Sequence, residues 1–332
     1  MFINWAHYLI PKTFFALSYI ANPVFIYLIH TEKSFQFGCY RHLLYFFAVF
    51  NMITSLADTL VPVCVHTYHY ATLVFTVDGP FSERSRFGEA MVACRCAFIS
   101  GTYGILNAHF MYRFLSLRYH NFVAEYFKPY GLIGSILLVF VHWLSWAIAT
   151  DFAMGPVDES RKYVQKSFED AFGGSMGNVN IKVAVFSEVS SDVMYRSWFG
   201  NIFATVVSSY STVLYFVLGY KIMSSLNAEN FQMSPKTLQM QKRLFWALAV
   251  QTAIPICVSF MPCALALYGS AFKIDFGRFS NIFATIAVST FPFFDPMAII
   301  MCLPALRRRL FAKFGIHLDS NSSNQVQSAP KI

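Results

Sequence analysis

Seven apolar runs, each close to the length of a membrane-crossing helix, are spaced along the chain. A bilayer core of about 30 Å takes about 20 apolar residues per helix. Windows at about 13–30, 43–66, 91–115, 129–152, 197–220, 244–268 and 279–303 meet that length. Polar stretches of unequal length separate them, the longest being 154–195, rich in Gly, Ser, Asp, Glu and Lys. No internal repeat stands out, which weakens a transporter built from repeats. The seventh run, inside "STFPFFDPMAIIMCLPALRRRLF", carries Pro292, Asp295 and Pro296 and stops at three consecutive arginines. Beyond it, Pro304 suits the first turn of a new helix. Leu306, Leu310, Phe311 and Phe314 share one face there, and Arg307, Arg308, Arg309 and Lys313 cover much of the rest. That pattern predicts a short amphipathic helix over 304–315, lying at the membrane surface and ending near Gly315. Residues 316–332 are polar and low in complexity and are expected to form a disordered tail. The fold class is therefore an all-α membrane protein: a seven-transmembrane helix bundle spanning 1–315.

Composition agrees and removes other classes. Hydrophobic residues make up 56% of 332 and charged residues 13%, with 37 phenylalanines. That is too apolar for a water-soluble surface. The net charge of +8 does not mark a nucleic-acid binder, because the basic residues form no solvated stripe and no nucleic-acid motif is present. The N-terminus lacks a basic region and a convincing cleavage site, so the first apolar run reads as a retained anchor. Seven scattered cysteines without CxxC pairs indicate neither a zinc site nor a disulfide scaffold.

Orientation follows the lysine and arginine bias of the loops. With the N-terminus outside, the inner segments hold 14 Lys and Arg and the outer segments 10, half of the latter in the 154–195 loop and its edge. The expected topology is N-terminus outside, with the amphipathic helix and tail cytoplasmic.

Local motifs are more specific. After the first run, "TEKSFQFGCYRHLLYFFAVFNMITSLADTLVPVCVH" places Gly38, Tyr40, Phe50, Pro62 and His66. The third run ends in "HFMYRFLSL", the sixth begins in "LQMQKRLFWALAVQTAIP", and the seventh carries "FPFFDP". Over residues 8–312 the chain resembles the nematode serpentine chemoreceptors of the Str class, including the similar Srj and Srd groups. The resemblance implies a G-protein-coupled odorant or pheromone receptor. It implies a small-molecule ligand, a heterotrimeric G protein as partner, no cofactor, and residence in the plasma membrane at the cilium of a chemosensory neuron. Two departures stand out. Cys94 sits where many rhodopsin-like receptors tie the third helix to the second outer loop, yet 154–195 contains no cysteine; Cys64 is the nearest alternative by depth, and buried free thiols are an equal reading. The seventh helix continues as "LPALRRRL" where the family often has a Tyr-Arg pair.

Polar groups inside a span usually face the bundle interior and find partners. At about 1.5 Å per residue, Asp295 lies roughly 24 Å below the outer end of its helix and Asn51 roughly 12 Å above the inner end of its own. Their similar depths allow a contact, and the rhodopsin-like pairing of an Asp on helix two with Asn-Pro on helix seven would be exchanged here into Asn51 and Asp295-Pro296. The alternative is a protonated Asp295 bonded to a carbonyl freed by a proline. Asp58 and Arg95 both fall in the outer third, so an ion pair is possible; the alternative is that Arg95 snorkels to the interface. Arg113 lies about 33 Å from Met91, at the inner interface. By the resemblance, Tyr112-Arg113 occupies the place of the acid-Arg-aromatic motif, and with Tyr in place of the acid a partner contact is expected rather than an intrahelical lock. Plain interfacial anchoring is the alternative.

A ligand pocket is expected among the outer halves of helices three, five, six and seven, capped by 154–195, with Ser100, Tyr103 and Tyr268 as lining candidates. Pro62, Pro255, Pro262, Pro292 and Pro296 are candidate kinks. His66, His109 and His142 scatter in depth, which argues against a metal site and an enzyme. A seven-helix transporter or channel is the chief rival reading, and an intramembrane enzyme the third.

Overall fold

The computed structural model describes residues 5–32, 37–76, 78–155, 157–228, 234–313 and 315. The expected tail, 316–332, lies outside them. Among the described residues the chain forms seven helical columns. They are α1 (Trp5–Thr31), α2 (Tyr40–Leu60), α3 (Arg86–Arg118), α4 (His120–Tyr126) running through a π-turn into α5 (Leu132–Ala153), α7 (Ser191–Asn227), α8 (Pro235–Pro255) running through a second π-turn into α9 (Met261–Ala271), and α10 (Gly277–Cys302). Five columns are each long and apolar enough to cross a membrane: α1, α2, α4–α5, α7 and α8–α9. The tail-side part of α10 joins them when taken with α11 (Pro304–Lys313), which bends away by 104°.

The column that falls short on apolarity is α3, and its place explains why. It packs against α2, α5, α7 and α8. Glu89, Arg95, His109 and Arg113 are all buried along it. Protein surrounds its polar groups, and the most exposed apolar surface lies instead on α1, α5 and α7. Small residues let this core close up: a Cβ on Gly104 would come within 3.0 Å of the Val139 Cα, so α5 could not approach as it does.

One end of the bundle carries an addition that the all-helical expectation lacked. Strands β1 (Val63–Tyr68), β2 (Ala71–Thr76) and β3 (Asn180–Val185) form an antiparallel sheet in the order β1-β2-β3. The second apolar run was expected to be helical to 66; the helix stops at Leu60 instead. Pro62 is the reason. It disfavours helical geometry at the residue before it, and Val61 takes φ −130°, ψ 71°. Pro62 thus ends α2 rather than kinking it, and the β-branched stretch that follows becomes a strand.

The sheet alternates with period two. Leu73, Phe75, Ile181, Val183 and Val185 pack with Val164 and Phe168 of helix α6 (Asp158–Phe172). Phe75 meets Phe168 edge-on at 5.0 Å. The intervening residues Thr72, Val74 and Ala184 face the helical bundle, as do Val63 and Val65 of β1. The stretch 154–195, expected only as a polar loop, therefore supplies an amphipathic helix and a buried strand.

Side chains bolt this cap to the bundle. Thr72 donates to the Ala266 carbonyl of α9 at 2.8 Å, and the Ser270 hydroxyl donates to the Ala71 carbonyl at 2.9 Å. Lys182, fully buried, meets Asp151 of α5 at 2.6 Å, and the other oxygen of Asp151 takes Arg86 at 2.6 Å. Arg161 of α6 pairs with Glu89 of α3 at 2.7 Å. On the outer face of the cap, hydrogen bonds from the Ser190 hydroxyl and amide hold the Glu159 carboxyl below the usual range. Burial, reinforced by its bond to Glu188, pushes the Tyr163 phenol up to about 12.

Asn180 joins sheet to α3. Its Oδ1 accepts from the Ser85 amide at 2.8 Å, and its Nδ2 donates to the carbonyls of Phe81 and Glu83 at 2.6 and 2.7 Å. A Cβ on Gly88 would sit 2.2 Å from that Nδ2. Gly88→Ala should therefore displace Asn180 and destabilise the fold by about 1–3 kcal/mol, the usual range for overpacking. A thermal melt of purified protein checks this, and an unchanged Tm would show that the cap tolerates the shift.

Candidate functional site

Beneath the sheet lies a cavity of about 130 Å³. The sheet forms its roof, and α3, α5, α7 and α9 form its walls. Ile99, Trp146, Phe203 and Leu267 make the walls largely apolar. The third, fifth and sixth columns of the expected quartet are present as α3, α7 and α9, but the fourth column, α5, stands where the seventh was expected, α10 contributing Val288, and the expected lining residues stand elsewhere. Ser100 turns to Nδ1 of His142 at 3.4 Å. Tyr103 stacks on Phe260 with ring centres 3.8 Å apart. Tyr268 bonds Thr205 at 2.5 Å. None of the three lines the cavity.

Asp58 and Arg95 do come together. Arg95 Nη2 and Nε donate to Asp58 Oδ1 at 2.5 and 3.1 Å, and both side chains are buried. Arg95 also forms part of the cavity wall, so it does not snorkel outward. Cys64 and Cys94, like the other five cysteines, are not joined in disulfides. His66, His109 and His142 bond to Ser167, Tyr40 and Tyr210 respectively, at three separate places.

A second cluster sits deeper in the bundle. Asp295 of α10, fully buried, interacts with the side-chain amides of Gln251 on α8 and Asn51 on α2. Both polar atoms of the Asn51 amide, Gln251 Nε2 and Asp295 Oδ1 lack a direct hydrogen bond to another protein group. The side chains therefore gather at one depth without closing a complete hydrogen-bond network. Pro296 has no N–H, so the carbonyl four residues earlier, that of Pro292, loses its helical donor. Asn22 Nδ2 of α1 supplies one at 3.0 Å, with the Ser18 hydroxyl at 3.5 Å. The carbonyl freed by the proline is thus taken by Asn22, not by Asp295. Sequence reasoning missed Asn22 and Gln251, although an amide inside an apolar run is the signal that marks both.

The third cluster lies at the opposite end from the sheet. Arg113 is buried at 5% exposure, inside the bundle rather than on the interface. Its Nη1 donates to Gln241 Oε1 of α8 at 3.1 Å. Its guanidinium lies 3.9 Å above the ring of Tyr40 on α2. The Tyr40 hydroxyl bonds His109 Nδ1 at 2.8 Å, and its ring stacks on Tyr112 at 5.0 Å. Tyr112 in turn meets Phe127 edge-on at 4.5 Å. Nε and Nη2 of Arg113 are buried without partners. The contact expected of Arg113 with a second molecule is here made within the chain, across to α8, by a neutral amide that sequence reasoning did not select.

Helix α11 closes this end. Leu306 is fully buried and Leu310 packs on the core. Arg309 reaches back to α1, bonding the Glu32 carboxylate at 3.2 Å and Thr31 at 2.7 Å. Of the three consecutive arginines, this one is committed to the protein, while Arg307 and Arg308 remain exposed.

Comparison with known proteins places these features in a lineage. The sequence profile of the "Serpentine type 7TM GPCR chemoreceptor Srj" family matches residues 1–310. The chain is 36% identical over 310 residues to Serpentine receptor class J-38 of Caenorhabditis elegans, covering 93% of this chain and 94% of that one. It is 23% identical to G-protein coupled receptor str-33 of the same organism, over 95% of this chain and 92% of that one. It is also 23% identical to Serpentine receptor class r-10 of Caenorhabditis briggsae, over 96% and 92%.

Proposed function

Because the chain belongs to the Srj family of serpentine seven-transmembrane chemoreceptors, we propose that it converts binding of a small odorant or pheromone at the sheet-covered end into activation of a heterotrimeric G protein at the other. The observation that carries this reading is the build of α3. Arg95 stands in the cavity wall and Arg113 in the latch to α8, 18 residues apart on one unbroken helix. That is about 27 Å, close to the depth of a bilayer core. The incompletely bonded cluster of Asn51, Gln251 and Asp295 lies between, joining α2, α8 and α10.

A ligand shifts such a molecule only by preferring one of its states. The cavity touches α9, and α9 continues through a π-turn into α8, which carries Gln241. A shift of α9 is thereby passed along one column to the Arg113 latch. Tyr112, Arg113, Asn51, Asp295 and Pro296 are the switch residues in this reading. The sheet faces outside and α11 faces the cytoplasm, in the ciliary plasma membrane of a chemosensory neuron.

Two measurements test it. An epitope at the N-terminus should be reached by antibody on intact cells. An odorant panel read out by calcium or cyclic nucleotide should give a response that disappears when the heterotrimeric G proteins of the host cell are removed. A response that persists without them would mark the chain as a channel instead.

A further inference from the structure

The cavity wall specifies the chemistry of its occupant. Arg95 is charged, but Asp58 neutralises it at 2.5 Å. Thr72 bonds Ala266 and Ser270, and Ser197 bonds Val185 and Val193. Asn201 differs. It is 4% exposed, it stands in the same wall on α7, and its Oδ1 has no hydrogen-bond partner. A buried polar group without a partner is costly, and a ligand that supplies one gains that difference. A carboxamide has a donor end and an acceptor end, and turning about the Cβ–Cγ bond exchanges them.

Size and charge narrow the class. An apolar protein cavity of roughly 150 Å³ accommodates benzene, and this one measures about 130 Å³. With Arg95 already paired, an ionic ligand would bring an uncompensated charge into an apolar space.

We infer that the cavity binds a small neutral oxygenated molecule, an alcohol or carbonyl compound about the size of a six-membered ring, whose oxygen pairs with the carboxamide of Asn201. The inference rests on the receptor reading only for its biological purpose; the binding itself is independent of any G protein.

The test uses the full chain in lipid nanodiscs, with thermal stabilisation as the measure of binding. The probes are cyclohexanol, cyclohexanone, methylcyclohexane and cyclohexylammonium. One or both oxygenated probes should bind about tenfold more tightly than methylcyclohexane, the order expected for satisfying one buried polar group. Cyclohexylammonium should not bind. Asn201→Leu should remove the preference while leaving methylcyclohexane unchanged. Ala204→Leu fills the cavity without altering the amide and should abolish binding of all probes, which keeps the test decisive if Asn201→Leu does not fold. Whichever oxygenated probe binds more tightly identifies the end of the amide that meets the ligand. Equal or tighter binding of methylcyclohexane, binding of the cation, no binding at all, an unchanged preference in Asn201→Leu, or undiminished binding in Ala204→Leu would each overturn the inference. Selective binding without a G-protein response would instead sink the receptor reading and leave this one standing.

Discussion

Asp58→Ala should unfold or strongly destabilise the protein, with a loss of about 3–5 kcal/mol, the range for stripping one partner from a buried ion pair. Arg95 would keep its charge at 3% exposure with its Asp58 acceptor gone. Arg95→Ala should cost a similar amount by stranding Asp58. The pair itself is a different matter. Replacing both members with apolar side chains of similar volume is often neutral or stabilising, because two desolvation penalties vanish with one attraction. Asp58→Leu combined with Arg95→Met should therefore recover most of the stability that either single change loses. Thermal melts of Asp58→Leu, Arg95→Met and the double, referenced to the native chain, close the cycle. Additive losses in the double variant would show that the two charges do not depend on each other.

That pair was legible in the sequence because it needed only depth. Two opposite charges in separate apolar runs, each counted from a helix end, fall at the same level, and neither can stay buried alone. Five of the seven columns were legible for a related reason: lipid contact demands a run of apolar residues that stands out in composition. The sheet was not legible, because Val63–Tyr68 and Ala71–Thr76 continue the apolar character of the second run. Only Pro62 and the β-branched residues behind it separate a strand from the end of a helix. Strand β3 was hidden differently. Its buried lysine reads as a loop residue until Asp151 is seen to meet it.

Amides were the main loss at the sites. Asn22, Asn201, Gln241 and Gln251 carry no charge, so burying them raises no alarm in a count of ionisable groups. Depth also says nothing about which way a helix faces. Ser100, Tyr103 and Tyr268 lie within a few residues of Ile99, Cys96, Cys263 and Ala266, which do line the cavity. A shift of one residue turns a helical side chain by about 100°, enough to move it from a cavity to a neighbouring helix.

Gln241→Ala should raise signalling in the absence of ligand. The bond from Arg113 to Gln241 is the direct polar tie from the Arg113 side chain to α8. Hydrogen bonds to charged groups contribute about 1.5–3 kcal/mol, so losing this one would move the balance between latched and open states by about ten- to a hundredfold. Gln241→Glu works in the opposite direction. It replaces the amide with a carboxylate, makes the latch an ion pair, and should lower basal output and raise the ligand concentration needed for response. Arg113→Ala removes the latch and the cation at once. If the freed guanidinium is what the G protein meets, this variant should lose ligand-driven activation by about tenfold or more at equal surface amount, even though its α8 is released. Tyr40→Leu separates the two roles. It takes away the aromatic face 3.9 Å from the guanidinium and the partner of His109, but keeps the cation. Its basal output should rise as in Gln241→Ala, with coupling retained. Basal and stimulated second messenger, normalised to surface protein, distinguish these outcomes. If Gln241→Ala stays at native basal output while Arg113→Ala still couples fully, the Arg113 cluster is packing and the switch lies with Asp295.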